Sequence, residues 1–344
     1  MVIAGPGSGK TTVITNRITK LIGSGAAKPS EIMVITFTTA AADEMKSRFL
    51  KLNALTKTEV VFGTFHSVFL SFLKQYSNFQ NLRLATQKES IALLRECVSH
   101  LYPDKNFTSD YFTHLLGEIS RMKNGMYSSA SLSVITKEYM REMSKAGLFD
   151  YDDMILLCLR MLKSDQKALS FIRASVKFIL IDEFQDINRV QFEAVKLIAA
   201  PLNNLFVVGD DDQSIYAFRG SDPGIMLSFR QHFPQTKYIG LFTNYRSSPE
   251  IIGASLKLIS HNRSRYFKKL NTANTHGPNI TVWNFYDSEE EAEAVCRSIL
   301  HYTRMDPERY KSFGILFRTH RAGNAVFREV ELRKARDKAL AQSA

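Results

Sequence analysis

The sequence predicts an α/β fold in which a parallel sheet carries helices on both faces. Short apolar segments alternate with helical patterns near the start of the chain, and the alternation returns after residue 176. Between these parts, residues 72–162 show helical patterns without intervening strong strands. Because alternating strands and helices form parallel sheets in compact proteins, the middle stretch is predicted to be a helical insertion into the sheet domain.

The first predicted unit is a strand, a glycine-rich turn and a helix. Val2–Ala4 is apolar, the turn reads Gly-Pro-Gly-Ser-Gly, and Lys-Thr-Thr opens the helix. Glycine backbones can turn their N–H groups toward an anion, and the helix start adds its dipole. The pattern therefore predicts a site for a nucleoside triphosphate and Mg²⁺, formed by Ala4, Gly5, Gly7, Ser8, Gly9, Lys10, Thr11 and Thr12.

Within this site, Lys10 is expected to reach the β- and γ-phosphates, and Thr11 is expected to bind Mg²⁺ through its hydroxyl. The alternative interpretation is an ordinary glycine-rich turn between a strand and a helix.

Two more strands are predicted at residues 32–37 and 59–63, with a helix over residues 38–50 between them. Ligands of parallel sheets bind at the carboxyl ends of the strands. Phe37, Thr64 and His66 are therefore expected on one rim, where an aromatic ring, a hydroxyl and an imidazole could contact nucleic acid. The alternative for Phe37 is an ordinary core position.

The insertion is predicted to contain helices over residues 88–101, 111–122, 132–145 and 151–162. The acidic residues at 150–153 precede and open the last of them. Because a helix dipole favours negative charge at its N-terminus, these acids are interpreted as capping residues and not as catalytic groups.

The sheet is predicted to resume at residues 176–181, directly before Asp182 and Glu183. Two carboxylates at the end of a strand suit a phosphate site, since Asp182 can hold Mg²⁺ through water and Glu183 can orient and deprotonate the attacking water. The alternative is a pair of solvated turn acids.

A further strand at residues 205–208 leads into a segment that combines acidic, amide and aromatic side chains. Gln213 has the reach to sense a γ-phosphate, and Tyr216 and Phe218 could face a stack of bases. The segment could therefore couple nucleotide hydrolysis to movement on nucleic acid.

From residue 237 a second α/β unit is predicted to begin. A strand at 237–241 precedes Tyr245, a candidate for stacking on the base, and Arg246, a candidate charge-stabilising finger at the γ-phosphate. Residues 261–274 are basic and polar and are expected to form an exposed loop. Strands are predicted at 281–285 and 314–317, with a helix at 289–301 between them.

Composition indicates the class of partner. The chain of 344 residues carries a net charge of +11 and has a pI near 9.4, which favours a polyanion such as nucleic acid; a merely basic protein remains the alternative. Cys97, Cys158 and Cys296 lack metal-ligand spacing and are expected to be reduced. No apolar run approaches the roughly 18 residues of a membrane span, and no signal sequence is evident, so a cytoplasmic protein without a membrane partner is predicted.

Six ordered blocks resemble the UvrD/Rep-like superfamily 1 DNA helicases. The resemblance covers residues 2–335 and rests on residues 4–12, 35–45, 63–67, 181–188, 208–220 and 241–248. It implies a P-loop, RecA-like motor domain (1–75 and 165–236) with a helical insertion (76–164), followed by an incomplete second RecA-like motor domain (237–344). It also implies ATP-driven 3′ to 5′ movement on single-stranded DNA and duplex unwinding, with single-stranded DNA and single/double-strand junctions as partners; the sequence identifies no protein partner.

Position by position, the resemblance assigns phosphate and Mg²⁺ contacts to Lys10 and Thr11, the metal to Asp182 and the base to Glu183. It places Arg17 near the nucleotide, Gln213 and Arg246 on the γ-phosphate, and Tyr245 on adenine. The DNA contacts that it implies are Phe37, Thr64, His66, Tyr216 and Phe218.

Some features depart from the family. Thr39 and Ala40 stand where Asn-Lys is usual, the adenine pocket upstream of the P-loop is absent, and residues 336–344 form a weakly patterned tail. A truncated helicase product is therefore expected. Three functions are compatible with the sequence: an ATP-dependent DNA helicase, a remnant that binds ATP-Mg²⁺ and single-stranded DNA without helicase activity, and a P-loop ATPase of another kind, such as a protein remodeller.

Overall fold

The computed structural model describes residues 1–76, 83–125, 129–217, 220–304 and 307–343. The chain forms two compact units, Met1–Gly277 and Pro278–Ala344. Within the described residues the strands are β1 (Val2–Ala4), β2 (Ile32–Thr36), β3 (Val61–Thr64), β4 (Arg83–Leu84), β5 (Leu148–Phe149), β6 (Phe178–Ile181), β7 (Leu205–Gly209), β8 (Ile239–Leu241), β9 (Thr243–Asn244) and β10 (Asn271–Thr272).

The α-helices in the same residues are α1 (Lys10–Gly23), α2 (Thr39–Leu52), α3 (Phe65–Tyr76), α4 (Gln87–Leu101), α5 (Ser109–Lys123), α6 (Ala130–Lys145), α7 (Tyr151–Ser164), α8 (Gln166–Ser175), α9 (Arg189–Ala199), α10 (Pro223–Leu227), α11 (Phe229–His232), α12 (Pro249–Ile259), α13 (Ser288–Thr303) and α14 (His320–Ser343). No helix among them combines the length and apolarity that crossing a bilayer requires.

Six strands form one parallel sheet in the order β3-β2-β6-β7-β1-β8. The predicted α/β fold with a parallel sheet is thus confirmed, and all six of these strands were expected from the sequence. The strand β8 joins this sheet at its edge, because the Ile239 N–H donates to the Met1 carbonyl at 3.0 Å and the Gly5 N–H donates to the Leu241 carbonyl at 2.8 Å. The strand before the glycine-rich turn therefore lies between β7 and β8.

Both faces of the sheet are buried, which explains the continuous apolar strands. All five residues of β2 are buried, and they alternate between two cores, with Met33 and Ile35 in one and Ile32 and Val34 in the other. This alternation follows from the two-residue period of a strand. Helix α1 covers the second core through Ile14.

The helices that follow β4 have a core separate from those of the sheet. Helices α4, α5 and α6 pack around Tyr139, Leu94 and Phe112, and the four helices expected from the sequence are all present. Helix α7 begins with a capping box formed by Asp150 and Asp153, so the interpretation of these acids as caps is confirmed. The buried Lys123 ammonium lies 2.7 Å from each of the two carboxylates, which balances their charge.

In the unit Pro278–Ala344, helices α13 and α14 are described and the two strands predicted at 281–285 and 314–317 are not formed. Both strand predictions are wrong. Val282 and Leu316 are 81% and 97% exposed, and an apolar segment becomes a strand only where a neighbouring strand pairs with its backbone. Helix α14 runs on to Ser343, where the sequence predicted a weakly patterned tail.

Candidate nucleotide and nucleic-acid site

The glycine-rich turn folds into a loop at the carboxyl end of β1. The Ser8 hydroxyl donates to the Gly5 carbonyl at 2.7 Å inside the loop. Gly7 and Gly9 have φ values of +62° and +86°, a region that side-chain-bearing residues rarely adopt. The two glycines are therefore required by the shape of the loop and not merely tolerated in it.

Helix α1 leaves its N-terminus open for an anion. Gly9 caps the helix without any side-chain hydrogen bond, and the first turn contains no acidic residue. Lys10, Thr11 and Thr12 occupy that turn, so their backbone dipoles add positive potential at the end of the loop. The structure thus brings the residues predicted to bind phosphate into one loop-and-helix unit with the end of β1 at Ala4.

Five residues form a closed ring of hydrogen bonds above β1, β6 and β7, here called the polar ring, to which Asp210 contributes its backbone N–H as well as its carboxylate. Lys10 Nζ donates to Glu183 Oε2 at 2.9 Å and to Gln213 Oε1 at 3.5 Å. Gln185 Nε2 donates to Glu183 Oε2 at 2.9 Å, and Gln185 Oε1 accepts from the Asp210 N–H at 2.9 Å. Gln213 Nε2 closes the ring by donating to Asp210 Oδ2 at 2.6 Å. Lys10, Glu183 and Gln213, predicted separately, therefore meet in one network.

Glu183 sits on strained backbone. Its φ and ψ of 48° and 47° are left-handed, which costs a residue with a side chain about 1–3 kcal/mol. The Glu183 N–H donates to Asp182 Oδ1 at 3.0 Å. This turn separates the two carboxylates, so that Glu183 enters the polar ring while Asp182 stays at the end of β6.

The residues predicted for Mg²⁺ have the right chemistry. Burial and the Glu183 charge raise the pKa of Asp182 to about 6, and a nearby cation would favour its ionised form. Mg²⁺ is usually held by one or two protein oxygens together with phosphate and water, and the Thr11 hydroxyl and the Asp182 carboxylate are ligands of that kind. Accordingly, no set of three or more His, Cys, Asp or Glu residues in the described part of the chain forms a metal cage of protein ligands alone.

The segment after β8 is attached to the loop through Asn244. The buried Asn244 side chain donates to the Pro6 carbonyl at 2.6 Å and accepts from the N–H groups of Arg246 and Ser247 at 2.7 Å each. The Tyr245 N–H donates to the Gly7 carbonyl at 3.0 Å. Tyr245 and Arg246 are therefore both held against the phosphate loop, and the Tyr245 side chain is 66% exposed.

Arg17 lies elsewhere. It is two turns into α1, where its guanidinium carbon is 5.9 Å from the centre of the Phe206 ring. It lines a groove of about 1150 Å³ together with Met1 and Lys237, at the starts of the strands and away from the polar ring. A contact between Arg17 and nucleotide stays a prediction.

The described residues that were predicted to contact DNA lie at the same edge of the sheet, where Phe37 follows β2, Thr64 ends β3, His66 lies just after it, and Tyr216 follows β7. The rings of Phe37 and Tyr216 are 4.6 Å apart and tilted by 33°. Thr64 exchanges hydrogen bonds with Ser67 at the start of α3, and the His66 ring meets Tyr151 edge-on at 5.4 Å. Phe218 lies outside the described residues. Since β2 is next to β6 in the sheet, these aromatic groups adjoin the polar ring.

The environment of His66 favours its neutral form. Burial lowers the pKa of His66, and the Asp152 carboxylate offsets part of that shift. A neutral imidazole can accept as well as donate a hydrogen bond, which suits contact with a base or sugar.

The expected exposed loop at 261–274 is wrong for its central part. Lys268 is buried, with Nζ at 2.5, 2.6 and 2.8 Å from carboxylate oxygens of Asp210, Asp211 and Asp212. Arg265 forms two hydrogen bonds to Asp212, at 2.7 and 2.6 Å. Three consecutive carboxylates after a buried strand need nearby cations, and this is the sequence signal that could have indicated the burial.

Sequence reasoning also missed Gln185, Asp210 and Asn244 as members of the site. Gln185 and Asp210 stand close in sequence to predicted residues, but only the folded arrangement shows that they complete the polar ring. Asn244 directly precedes the two residues that it positions, and an amide at such a turn is a frequent backbone ligand.

Comparison with family models and with curated proteins identifies the family of this chain. The model of the UvrD/REP helicase N-terminal domain matches residues 1–234, and the model of the UvrD-like helicase C-terminal domain matches residues 239–335. Proteins named ATP-dependent DNA helicase PcrA from Staphylococcus aureus and Staphylococcus epidermidis are each 33% identical over 337 residues, covering 93% of this chain and 46% of the relative. The chain therefore spans about half the length of these curated relatives. Because the two family models together match most of its residues, the chain belongs to the UvrD/REP helicase family.

Proposed function

We propose that this chain is the motor part of an ATP-dependent DNA helicase that moves 3′ to 5′ along single-stranded DNA and unwinds duplex. The polar ring carries the proposal, because it joins the lysine of a phosphate loop to a carboxylate and an amide at the ends of neighbouring strands. The printed names of the PcrA relatives support the helicase activity.

In the proposed hydrolysis, Lys10 leaves Glu183 and contacts the phosphates of ATP. Glu183, still bonded to Gln185, is then free to accept a proton from the attacking water. Gln213 and Arg246 contact the γ-phosphate, where cationic and amide groups stabilise the charge of the transferred group. Mg²⁺ held by Thr11 and Asp182 would neutralise phosphate charge, and Tyr245 would stack on adenine.

Single-stranded DNA is proposed to cross the carboxyl edge of β2 and β3. Phe37 and Tyr216 offer aromatic faces for bases, with Thr64, His66 and Phe218 as further contacts. Tyr216 is three residues from Gln213, so one short segment would link the γ-phosphate to the bases. The net charge of +11 favours the phosphate backbone of DNA.

The domain organisation is part of the proposal. We propose a first motor domain of residues 1–75 and 165–236 with a helical insertion of residues 76–164, followed by a second motor domain from residue 237. The boundary between the two family models, between residues 234 and 239, supports the division near residue 237. Binding at single/double-strand junctions and a cytoplasmic location are further expectations of the same proposal.

The test is steady-state ATP hydrolysis by the purified chain, with and without single-stranded DNA, beside Glu183→Gln as the control. Hydrolysis that DNA stimulates and the variant lacks is the expected result. Binding of both ligands without turnover would replace the proposal with the second function considered from the sequence, a module that binds ATP-Mg²⁺ and single-stranded DNA. Failure to bind DNA would favour a P-loop ATPase of another kind.

A further inference from the structure

A buried cation lies directly behind the polar ring. The Lys268 side chain has 0% exposure, as does that of Asp210, and the side chain of Asp211 is 1% exposed. Lys268 Nζ donates to Asp210 Oδ1 at 2.5 Å and to Asp211 Oδ1 at 2.6 Å. A lysine without solvent contact persists only when carboxylates surround it in this way.

The segment that carries Lys268 is fixed on both sides. The Tyr266 N–H donates to Asp211 Oδ2 at 2.7 Å, and the Tyr266 hydroxyl donates to the Met226 carbonyl at 3.0 Å. Further along, Leu270 fills the space beside Gly5, where an added Cβ would lie 2.4 Å from Leu270 Cδ2. The segment 265–270 therefore packs against both the aspartate cluster and the phosphate loop.

Asp210 divides its two oxygens between different partners. Oδ1 accepts from Lys268 Nζ at 2.5 Å and, over a longer distance, from the Asp212 N–H at 3.2 Å, whereas Oδ2 accepts from Gln213 Nε2 at 2.6 Å. Because a carboxylate is planar, fixing Oδ1 also fixes the direction of Oδ2. An acceptor at Oδ2 in turn selects the Gln213 orientation in which Nε2 faces Asp210 and Oε1 faces Lys10.

We propose that Lys268 is a positioning residue for Gln213, acting through Asp210 to hold the Gln213 amide in the orientation that reads the γ-phosphate. The inference rests on the proposed role of Gln213 in ATP hydrolysis. Lys268 touches neither nucleotide nor DNA in this scheme. Lys268 is therefore expected to affect the rate of hydrolysis and not the affinity for the nucleotide.

The charges of the cluster suggest a second variant that is expected to be less destabilised than Lys268→Met alone. Lys268→Met leaves Asp210 and Asp211 without their buried cation, which strongly destabilises the fold. In Lys268→Met/Asp211→Asn the net charge of the cluster is unchanged, and the new amide oxygen can still accept from the Tyr266 N–H. Lys269→Met is the matched control, because Lys269 is the adjacent lysine and is exposed.

The readout separates catalysis from binding. In both Lys268 variants kcat for ATP is expected to fall about 10- to 100-fold, as for residues that orient a group in direct contact with substrate. Affinity for ADP, which has no γ-phosphate, is expected to stay at the wild-type level. The Lys269→Met chain is expected to match wild type in both measurements.

A mutant cycle tests the route through Gln213. If Lys268 acts through that amide, adding Lys268→Met/Asp211→Asn to Gln213→Ala lowers kcat no further than Gln213→Ala alone. If the Lys268 and Gln213 substitutions instead lower kcat independently, so that their fold-losses multiply, the inference is overturned. A wild-type kcat in the charge-balanced variant would also overturn the inference. So would loss of ADP binding in both Lys268 variants, because the cluster would then be required for the structure of the whole nucleotide site.

These outcomes are distinct from failure of the proposed function. A wild-type chain that binds ADP and hydrolyses no ATP contradicts the proposed hydrolysis and, with it, the positioning role. A wild-type chain that hydrolyses ATP, beside a Lys268 variant that does so equally well, contradicts only the positioning role.

Discussion

The ammonium group of Lys10 lies 2.9 Å from Oε2 of Glu183. The cation proposed to bind phosphate and the proposed base for water are thus one ion pair. A nucleotide must compete with Glu183 for Lys10, so binding and the release of the base are the same event. This arrangement keeps Glu183 occupied until the γ-phosphate arrives.

Glu183→Gln is expected to separate binding from chemistry. The amide removes the competing charge beside Lys10, so affinity for an ATP analogue should equal or exceed that of wild type. Hydrolysis should fall at least about 100-fold, because a neutral amide cannot accept the proton from water. Fluorescence titration and steady-state turnover measure the two effects, and turnover near wild type would remove Glu183 from the chemistry.

Lys10→Ala is expected to weaken binding of ATP by about 1.5–3 kcal/mol, the value of a hydrogen bond to a charged group. Lys20→Ala is the matched control, because Lys20 lies on the same helix, about 15 Å further along its axis. Isothermal titration with a non-hydrolysable ATP analogue gives both affinities. Equal affinities for the two variants would contradict a phosphate contact by Lys10.

Gly7→Ala is expected to disturb the contact between the phosphate loop and the segment after β8. Gly7 has a positive φ, and an added Cβ would lie 2.8 Å from Arg246 Cβ and from Asn244 Nδ2. The strained backbone alone costs about 1–2 kcal/mol. Gly23→Ala is the control, because a Cβ there meets nothing within 4 Å. Thermal unfolding and nucleotide affinity should both change in Gly7→Ala and stay near wild type in Gly23→Ala.

Tyr216→Ala is expected to weaken binding of single-stranded DNA by about 1–3 kcal/mol if one base stacks on this ring. Phe171→Ala provides the comparison, since Phe171 is 64% exposed on α8, which precedes β6 and is remote from the carboxyl edge. Fluorescence anisotropy with a labelled oligothymidine measures both. Unchanged affinity in Tyr216→Ala would place the DNA elsewhere.

Asp186→Asn is expected to make stability less dependent on pH. Burial and the Glu183 charge raise the pKa of Asp186 to about 7, whereas an unfolded Asp ionises near about 3.9. The unfolded chain therefore loses this proton first, and Asp186 destabilises the fold progressively as pH rises through that interval. The melting temperature of the variant should exceed that of wild type by more at pH 8 than at pH 5.

The control for this effect is Asp43→Asn, because Asp43 is exposed on α2. Its melting temperature should follow wild type at both pH values. An equal gain for Asp186→Asn at pH 5 and pH 8 would show that the ionisation of Asp186 is not the cause.

The sequence predicts those parts of the site whose functional residues lie close together in the sequence. The glycines, Lys10 and Thr11 stand within one turn, and Asp182 and Glu183 follow one apolar strand, so their grouping needs no tertiary information. Lys268 could not be found in this way. It is adjacent to Lys269 in a polar segment, and only the packing of that segment on the aspartates buries one lysine and exposes the other.

In the fold, too, local sequence patterns predict the elements but not how the elements pair. Apolar patterns indicate the strands of the sheet because both faces are buried, but they do not encode which strand is the neighbour. Residues 237–241 were expected to begin a second unit, and β8 pairs with β1 in the first sheet. The patterns at 281–285 and 314–317 resemble strands equally well and have no partner to pair with in the described residues.

The position of β1 also determines when the phosphate loop can form during synthesis. Its pairing partners are β7 and β8, more than 200 residues later in the chain, so within this sheet β1 has no strand to pair with until Gly209 of β7 has been synthesised, and its second partner is complete only at Leu241. Contacts of such separation are slow to close and leave apolar segments exposed in the meantime. The nucleotide site is therefore expected to form late in folding. A bound nucleotide would stabilise the sheet once β1 has paired.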